Sequence, residues 1–524
     1  MKKVIQTSIL SVFAASAALA ATTVDKTVMG GAGDYTTRVP IPKDNPNYNI
    51  ILESPAATKE GTMFSGNYAT IASLDGATHT PGTVSDAGKT PAWNFSGNLI
   101  IDINSAEAGG ITALTTGNNK FAWNLGTLTI KNSQSNDSTY ANVDLGAQFR
   151  MTVNYSASQA SKLVIATNAN LSGQSLAFAA NSGGGVFFEK GVKANYTVSQ
   201  THIAGNGFFS IGENAVVDAS SKELGFNFYS GSTLQIAAGG TFKTQKVNTN
   251  TGWNAEINGN FEYVGKNQLT LANASISGGK FVATELTNGT SARTVISGGM
   301  SVSNGGTIDQ KGALELKGAS SESLASLSVD SSAGYIKLYD NVGGDGQKYQ
   351  GRLFLSGNTQ LVINKANAFT RILTSGATGD TTLMMSAANN SIIVNEKTRF
   401  GNFYYWNGAT ELTIELSDTN ADAKLYIGGI SGASGNTLTI ENFADDMICF
   451  WTNDEAKTIG KYDTITANTA DGTTYGKGDL TLVKGTLDGK DVYFLNRINV
   501  PEPAEWAAIF GAIVLGLAVY RRRK

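Results

Sequence analysis

The 524-residue chain is long enough for more than one ordinary core, yet it carries 60 glycines and only 15% charged side chains, where about 7% glycine and ~25% charged residues are usual. A net charge of −3 without a basic patch excludes a nucleic-acid binder, which needs clustered cations to displace counterions. Two histidines, His79 and His202, and the single Cys449 exclude a dense His/Cys metal site and any disulfide within the chain.

In chain order, residues 1–20 read as a secretory signal peptide. Lys2 and Lys3 form a positive start, Val4 to Ala15 an apolar stretch, and Ala18-Leu19-Ala20 fits an A-x-A cleavage site. Sec machinery and signal peptidase are the partners this segment calls for. Residues 21–91 hold six of the eight prolines and form a lead-in and cap, since the open end of a stacked sheet exposes unpaired edges. From residue 92 to residue 500 there is no proline, where average usage would place roughly 20. Proline cannot donate to a central ladder, so its absence points to a long region with nearly every backbone N–H engaged.

Inside that region, short alternating strands recur. Ile236, Ile257, Ile276 and Ile296 each open a similar unit, in IAAGGTFK, INGNFEYV, ISGGKFV and ISGGMSV. Units about 20 residues long, built of period-2 strands and Gly corners, predict an all-β right-handed parallel β-helix (a β-solenoid) over 92–497. Gly supplies positive φ at its corners, and Asn tolerates the same conformation and forms side-chain ladders. Roughly 20 layers would give a length of about 100 Å; a series of β-sandwiches is the rival. Leu438 to Trp451, DLTLVKG and DVYFLN carry larger residues and read as strands that close the lower end.

Chemistry-bearing motifs are sparse: no catalytic residue, cofactor site or metal site is identified. Gly343-Gly344-Asp345-Gly346 bears a single resemblance to a calcium-binding nonapeptide and reads as a turn. Asp445 and Asp446, if on a strand, point to opposite faces. Asp488 and Asp491 flank a hairpin turn at Gly489-Lys490, and Cys449 reads as a buried, inert thiol. In Phe403-Tyr404-Tyr405-Trp406, one alternate pair fills the core and the other faces outward. Exposed rings at Tyr404 and Trp406 suit a glycan contact, with local packing as the alternative. The enzymatic alternative is a polysaccharide-cleaving β-helix, a lyase or a glycosidase with two carboxylates in one groove.

Residues 498–524 end the chain with Pro501-Glu502-Pro503, an uncharged run from Trp506 to Tyr520, and Arg521, Arg522, Arg523 and Lys524. As a helix that run spans ~22 Å, less than a ~30 Å hydrocarbon core, with Trp506 and Tyr520 at the two interfaces and the basic tail cytoplasmic. These three parts, in this order, resemble the PEP-CTERM sorting signal handled by exosortase; Glu505-Trp506 suits a variant of it. The resemblance implies a bacterium with an outer membrane and a single transmembrane helix that holds the chain transiently at the inner membrane. It further implies processing by exosortase near the triplet and delivery to the cell surface or extracellular matrix. Exopolysaccharide is the partner suggested there, in a structural or adhesive role. The exported region resembles autotransporter passengers, but their C-terminal barrel needs a series of amphipathic strands that this ending lacks.

Overall fold

The computed structural model describes residues 21–25, 47–53, 92–102, 110–111, most of 121–498, and 503–522. The signal segment with Ala18 and Ala20, His79, Gly343 to Gly346, Pro501, Glu502, Arg523 and Lys524 lie outside the described residues. The described chain is mostly β-strand, and it divides into two compact units, residues 1–292 and 293–524.

In the first unit, parallel strands lie in three columns. One column begins in Phe121–Lys131 and continues through Lys162–Ile165, Gly185–Phe188, Phe208–Ile211, Thr233–Ile236, Asn254–Ile257 and Asn273–Ser277. Register places Ile130, Ile165, Phe188, Ile211, Ile236, Ile257 and Ile276 in one row, every member buried. Three of the four isoleucines that mark the sequence repeat therefore stack as expected. The fourth does not extend this series of neighbours: Ile296 belongs to the second unit, where it pairs with Leu316. A similar tetrapeptide thus serves two strand settings, because the inward row asks only for a bulky apolar residue.

The second column runs from Ala141–Asp144 through the first halves of Ala169–Ala179 and Lys193–Ile203 to Val216–Ala219, Thr241–Thr244, Asn260–Tyr263 and Lys280–Ala283. The third uses Phe149–Thr152, the second halves of the same two long strands, and Gly225–Phe228. From Phe188 onward the chain returns to its first column after about 20 to 25 residues. In the lead-in, Ala21–Asp25 pairs parallel with Asn47–Glu53, which pairs parallel with Ala92–Asp102.

Backbone ladders explain the missing proline. The N–H groups of Phe208, Thr233 and Asn254 donate to Gly184, Gly207 and Ser232 of the preceding layer at 2.8, 2.9 and 2.9 Å. Proline at any of these positions would delete a buried bond.

Glycine acts at the corners in two ways, only one of which was expected. Gly239 and Gly278 adopt φ of 71° and 75°. The next residues, Gly240 and Gly279, and Gly259 after Asn258, stack instead: a Cβ on Gly259 would sit 2.3 Å from the Gly240 carbonyl oxygen, and one on Gly279 2.3 Å from that of Gly259. The second glycine is thus fixed by backbone approach between layers. Asparagine shares the left-handed work, since six of the eight described non-glycine residues with positive φ are Asn and two are Asp. It also forms the expected ladder: Asn170 Nδ2 donates to Asn142 Oδ1 at 2.9 Å, and Asn195 Nδ2 to Asn170 Oδ1 at 2.8 Å.

The second unit repeats the three-column plan. Its first column is Arg293–Ile296, Ala313–Lys317, Arg352–Ser356, Thr382–Met385, Asn402–Tyr405 and Ile430–Gly432, all parallel. Its second begins Gly299–Ser303, Ala325–Val329, Thr359–Ile363 and Asn390–Val394. It continues through Glu411–Leu416 and Asn436–Glu441 to Tyr462–Asn468. The remaining strands pair as Thr307–Lys311, Ile336–Tyr339 and Phe369–Ile372, and as Thr398–Phe400, Leu425–Ile427 and Ile448–Phe450.

Antiparallel pairing then closes this unit. Leu480–Leu487 and Lys490–Arg497 form a hairpin whose second strand adds to Ile448–Phe450. The turn lies one residue earlier than the expected Gly489-Lys490: Asp488 and Gly489 occupy it with φ of 51° and 74°, as a tight Asp-Gly hairpin requires, and Lys490 already pairs with Leu487. Asp445 and Asp446 correct the sequence reading. They lie in a turn, not a strand, and both reach the hairpin: Asp445 accepts from the Arg497 backbone N–H at 2.8 Å and from Nη2 at 2.9 Å. The Asp446 N–H donates to Asn496 Oδ1 at 2.9 Å.

The terminal helix spans Pro503–Arg522. Among the described residues, no helix is long and apolar enough to cross a membrane. The structure thus supplies the expected helix without the expected span, which accords with an uncharged stretch of only ~22 Å.

Candidate functional surface

Strand alternation sorts the aromatic run as its sequence requires. Phe403 and Tyr405, both fully buried, point inward, where the Tyr405 hydroxyl donates to that of Tyr462 at 2.7 Å. Burial pushes the Tyr405 phenol well above its ordinary range, with the Tyr462 hydroxyl reinforcing the shift, so neither ring serves as an acid or base at neutral pH. Tyr404 and Trp406 share the opposite face, ring centroids 6.0 Å apart and inclined at 49°. Trp406 is 41% exposed, and Tyr404 is half-buried.

Tyr404 does not stand on bare backbone. It packs on an apolar strip of Ala313, Phe354 and Met384. Phe354, Met384 and Tyr404 are register partners on successive strands of the first column. That strip holds the phenol ring in place, while Trp406, just past the strand end, remains accessible.

Three arginines flank this face. Arg293 Nη1 pairs with Glu315 at 2.8 Å, the carboxylate being 2% exposed. Arg371 grips both oxygens of Asp340, through Nε at 2.7 Å and Nη2 at 3.0 Å. Each buried carboxylate is thereby matched by a guanidinium, which such burial demands.

Arg352 is different. Its guanidinium lies 5.4 Å from the Tyr404 ring centroid, its Nη1 is 3.8 Å from Met384 Sδ, and its buried Nε has no hydrogen-bond partner. Burial lowers its pKa and the neighbouring charge of Arg371 lowers it further, while Tyr404 and the Asp340 carboxylate act the other way, and the arginine stays cationic. Nothing in the spacing of the sequence marks Arg352: its setting arises because strands far apart along the chain become neighbours.

The other candidates resolve as follows. Cys449 is buried, and burial pushes its thiol up to about 12, leaving it uncharged at neutral pH. His202 sits on an exposed face with its Nδ1 3.2 Å from the Tyr229 hydroxyl and its ring stacked on that of Tyr229. Among the described residues, no three His, Cys, Asp or Glu side chains gather to hold a metal ion.

At the chain end, the helix Pro503–Arg522 carries Ile513, Val514, Leu515, Leu517 and Val519 at 51 to 67% exposure. Arg521 and Arg522 close its last turn, where cations suit the helix dipole. Of Trp506 the structure describes only its place in the helix, and Tyr520 is exposed one position before the basic residues.

Comparison with protein-family models, with curated proteins and with solved structures gave no match to this chain.

Proposed function

We propose that the chain is an exported surface or extracellular-matrix protein whose parallel sheets wind as a right-handed β-helix, and that its role there is structural or adhesive. Sec machinery and signal peptidase handle its start. Exosortase handles its end, with Pro501, Glu502 and Pro503 as the recognition element and the following helix as a transient inner-membrane anchor.

The observation that carries the sorting part is the terminal segment itself. A Pro-Glu-Pro triplet leads into a helix whose apolar side chains lie open and whose end is basic. Apolar area left in water costs about 25 cal/mol per Å², so such a helix calls for a lipid or protein environment. Local bilayer thinning and snorkelling of the terminal arginines accommodate its shortness. The structural role is supported by inter-layer backbone ladders, buried apolar rows and polar Asn ladders on the outward side. These features favour a stiff scaffold.

Mass spectrometry of protein extracted from the cell surface tests the sorting proposal. The expected dominant form ends near residues 501–503. A dominant form that retains peptides through Arg523 overturns it.

A further inference from the structure

We infer that Arg352, Tyr404 and Trp406 form a binding subsite for an acidic sugar chain, with the Trp406 ring stacking on a pyranose face, Tyr404 beside it, and the guanidinium meeting a uronate carboxylate. The inference rests on the adhesive reading above and names its ligand class.

Charge on this face sets the sign of the ligand. Of the three arginines, Arg293 and Arg371 are matched by Glu315 and Asp340. Among the described residues, Arg352 touches a sulfur and an aromatic ring and has no carboxylate in ion-pair contact; the nearby Asp340, whose charge acts on it, is held by Arg371. A half-buried cation without a carboxylate in ion-pair contact gains most from an anion that meets its exposed part, because charge-assisted hydrogen bonds strengthen as water is excluded. The chain as a whole is acidic, so this local excess of positive charge is not part of a general basic surface.

Shape sets the ligand's class. Tyr404 and Trp406 are neighbours, one held by the apolar strip beneath it and the other exposed, and the Arg352 guanidinium lies 5.4 Å from the Tyr404 ring centroid. Such a pair offers the exposed Trp406 as a stacking surface for a sugar ring, with the half-buried Tyr404 beside it and one fixed cation over Tyr404. A peptide adding by strand augmentation finds no edge here, since Asn402–Tyr405 is paired on both sides, with Thr382–Met385 and Ile430–Gly432. A nucleic acid would call for a track of uncompensated cations, whereas two of the three arginines on this face are paired with carboxylates.

Affinity electrophoresis of the detergent-solubilised full chain in gels containing polygalacturonate, dextran sulfate, dextran or single-stranded DNA tests the inference. Polygalacturonate should retard the protein more than dextran does, and retardation should weaken with salt. Arg352→Gln should weaken polygalacturonate binding about tenfold or more, and Arg352→Lys should restore part of it. Trp406→Ala, at an exposed position outside the buried rows, should weaken it about threefold to tenfold. Polygalacturonate binding that neither variant changes overturns the subsite while leaving an adhesive role in place. Tighter retention by DNA, by dextran or by dextran sulfate than by polygalacturonate also overturns it. Absence of retardation in every gel overturns it too; retention of the chain in the extracellular matrix, measured in parallel, then decides separately whether the adhesive reading falls.

Discussion

The two units use one strand plan and fill it differently. In the first, rings pack from layer to layer: Phe209 lies 5.6 Å from Phe188 and 5.0 Å from Phe242, Trp253 stacks on Phe228 at 4.8 Å, and Phe261 meets Phe281 at 5.4 Å. In the second, the inward row Leu327, Leu361, Ile392, Ile414 and Ile440 is aliphatic. Its closing end is tied by ion pairs, Arg497 with Asp445 at 2.9 Å and Lys397 with Asp488 at 2.7 Å. The contrast teaches that parallel stacking fixes backbone spacing and alternation while leaving the filling free. The first unit sets a run of rings beside its isoleucine row, and the second sets fewer rings beside an aliphatic row and adds charge at its end.

The largest effect should come from removing a ring. Phe209→Ala should destabilise the first unit by about 3–5 kcal/mol, and Leu361→Ala the second by about 2–5 kcal/mol. Denaturant unfolding followed by tryptophan fluorescence and by circular dichroism measures both. A smaller loss for Phe209→Ala than for Leu361→Ala would break the comparison. Next in size is Gly259→Ala, expected to cost about 1–3 kcal/mol because the added methyl meets the Gly240 carbonyl in the layer above. The same measurement checks it, and a neutral result would mean that the layers are not so close.

Smaller still is the latch. Burial alone would raise the Asp445 carboxyl, but hydrogen bonds from the Arg497 side chain and backbone and the arginine's charge hold it below the usual carboxylate range. The Lys397 hydrogen bond, with the charges of Lys397 and Arg399, does the same for Asp488. A carboxyl depressed in the folded state adds stability above its unfolded value, near pH ~4, and loses it as pH falls through the lower folded value. Amide exchange in Lys490–Arg497 should therefore accelerate below pH ~4, after correction for the intrinsic rate, more than exchange in Phe208–Ile211. At neutral pH, Arg497→Gln should cost about 0.5–1 kcal/mol, since the pair is more than a third exposed at the arginine and screened by water. Equal acid sensitivity in the two strands would erase the contrast. The smallest effect belongs to Asn170→Ala, about 0.5 kcal/mol, because its exposed ladder bonds compete with water.

Much of the strand plan was legible because its signals are local. Alternation, the proline-free span, the row through Ile236, Ile257 and Ile276, the inward Phe403 and Tyr405, a hairpin near Gly489 (one residue later than its true place) and the buried Cys449 all follow from neighbouring residues. What stayed hidden depends on pairing at variable distance. Ile130 and Ile165 are register partners across a longer interval than Ile257 and Ile276, because intervening segments differ in length. Pairing across such intervals also brought Asp445 against Arg497 and Arg352 against Tyr404. The close-approach role of Gly259 was hidden for the same reason, since its constraint comes from the layer above.

The stacking itself is most directly tested by spin labels at Gln235 and Glu256, which the register places as neighbours in adjacent layers and whose side chains hydrogen-bond at 2.8 Å. In a Cys449→Ser background, continuous-wave spectra of the doubly labelled protein should show strong dipolar broadening, as a strand spacing of ~4.8 Å requires. A pair at Gln235 and Ser275, two layers apart in the same row, should broaden less. Spectra equal to the sum of the single labels for Gln235 and Glu256 would contradict parallel layering in this unit.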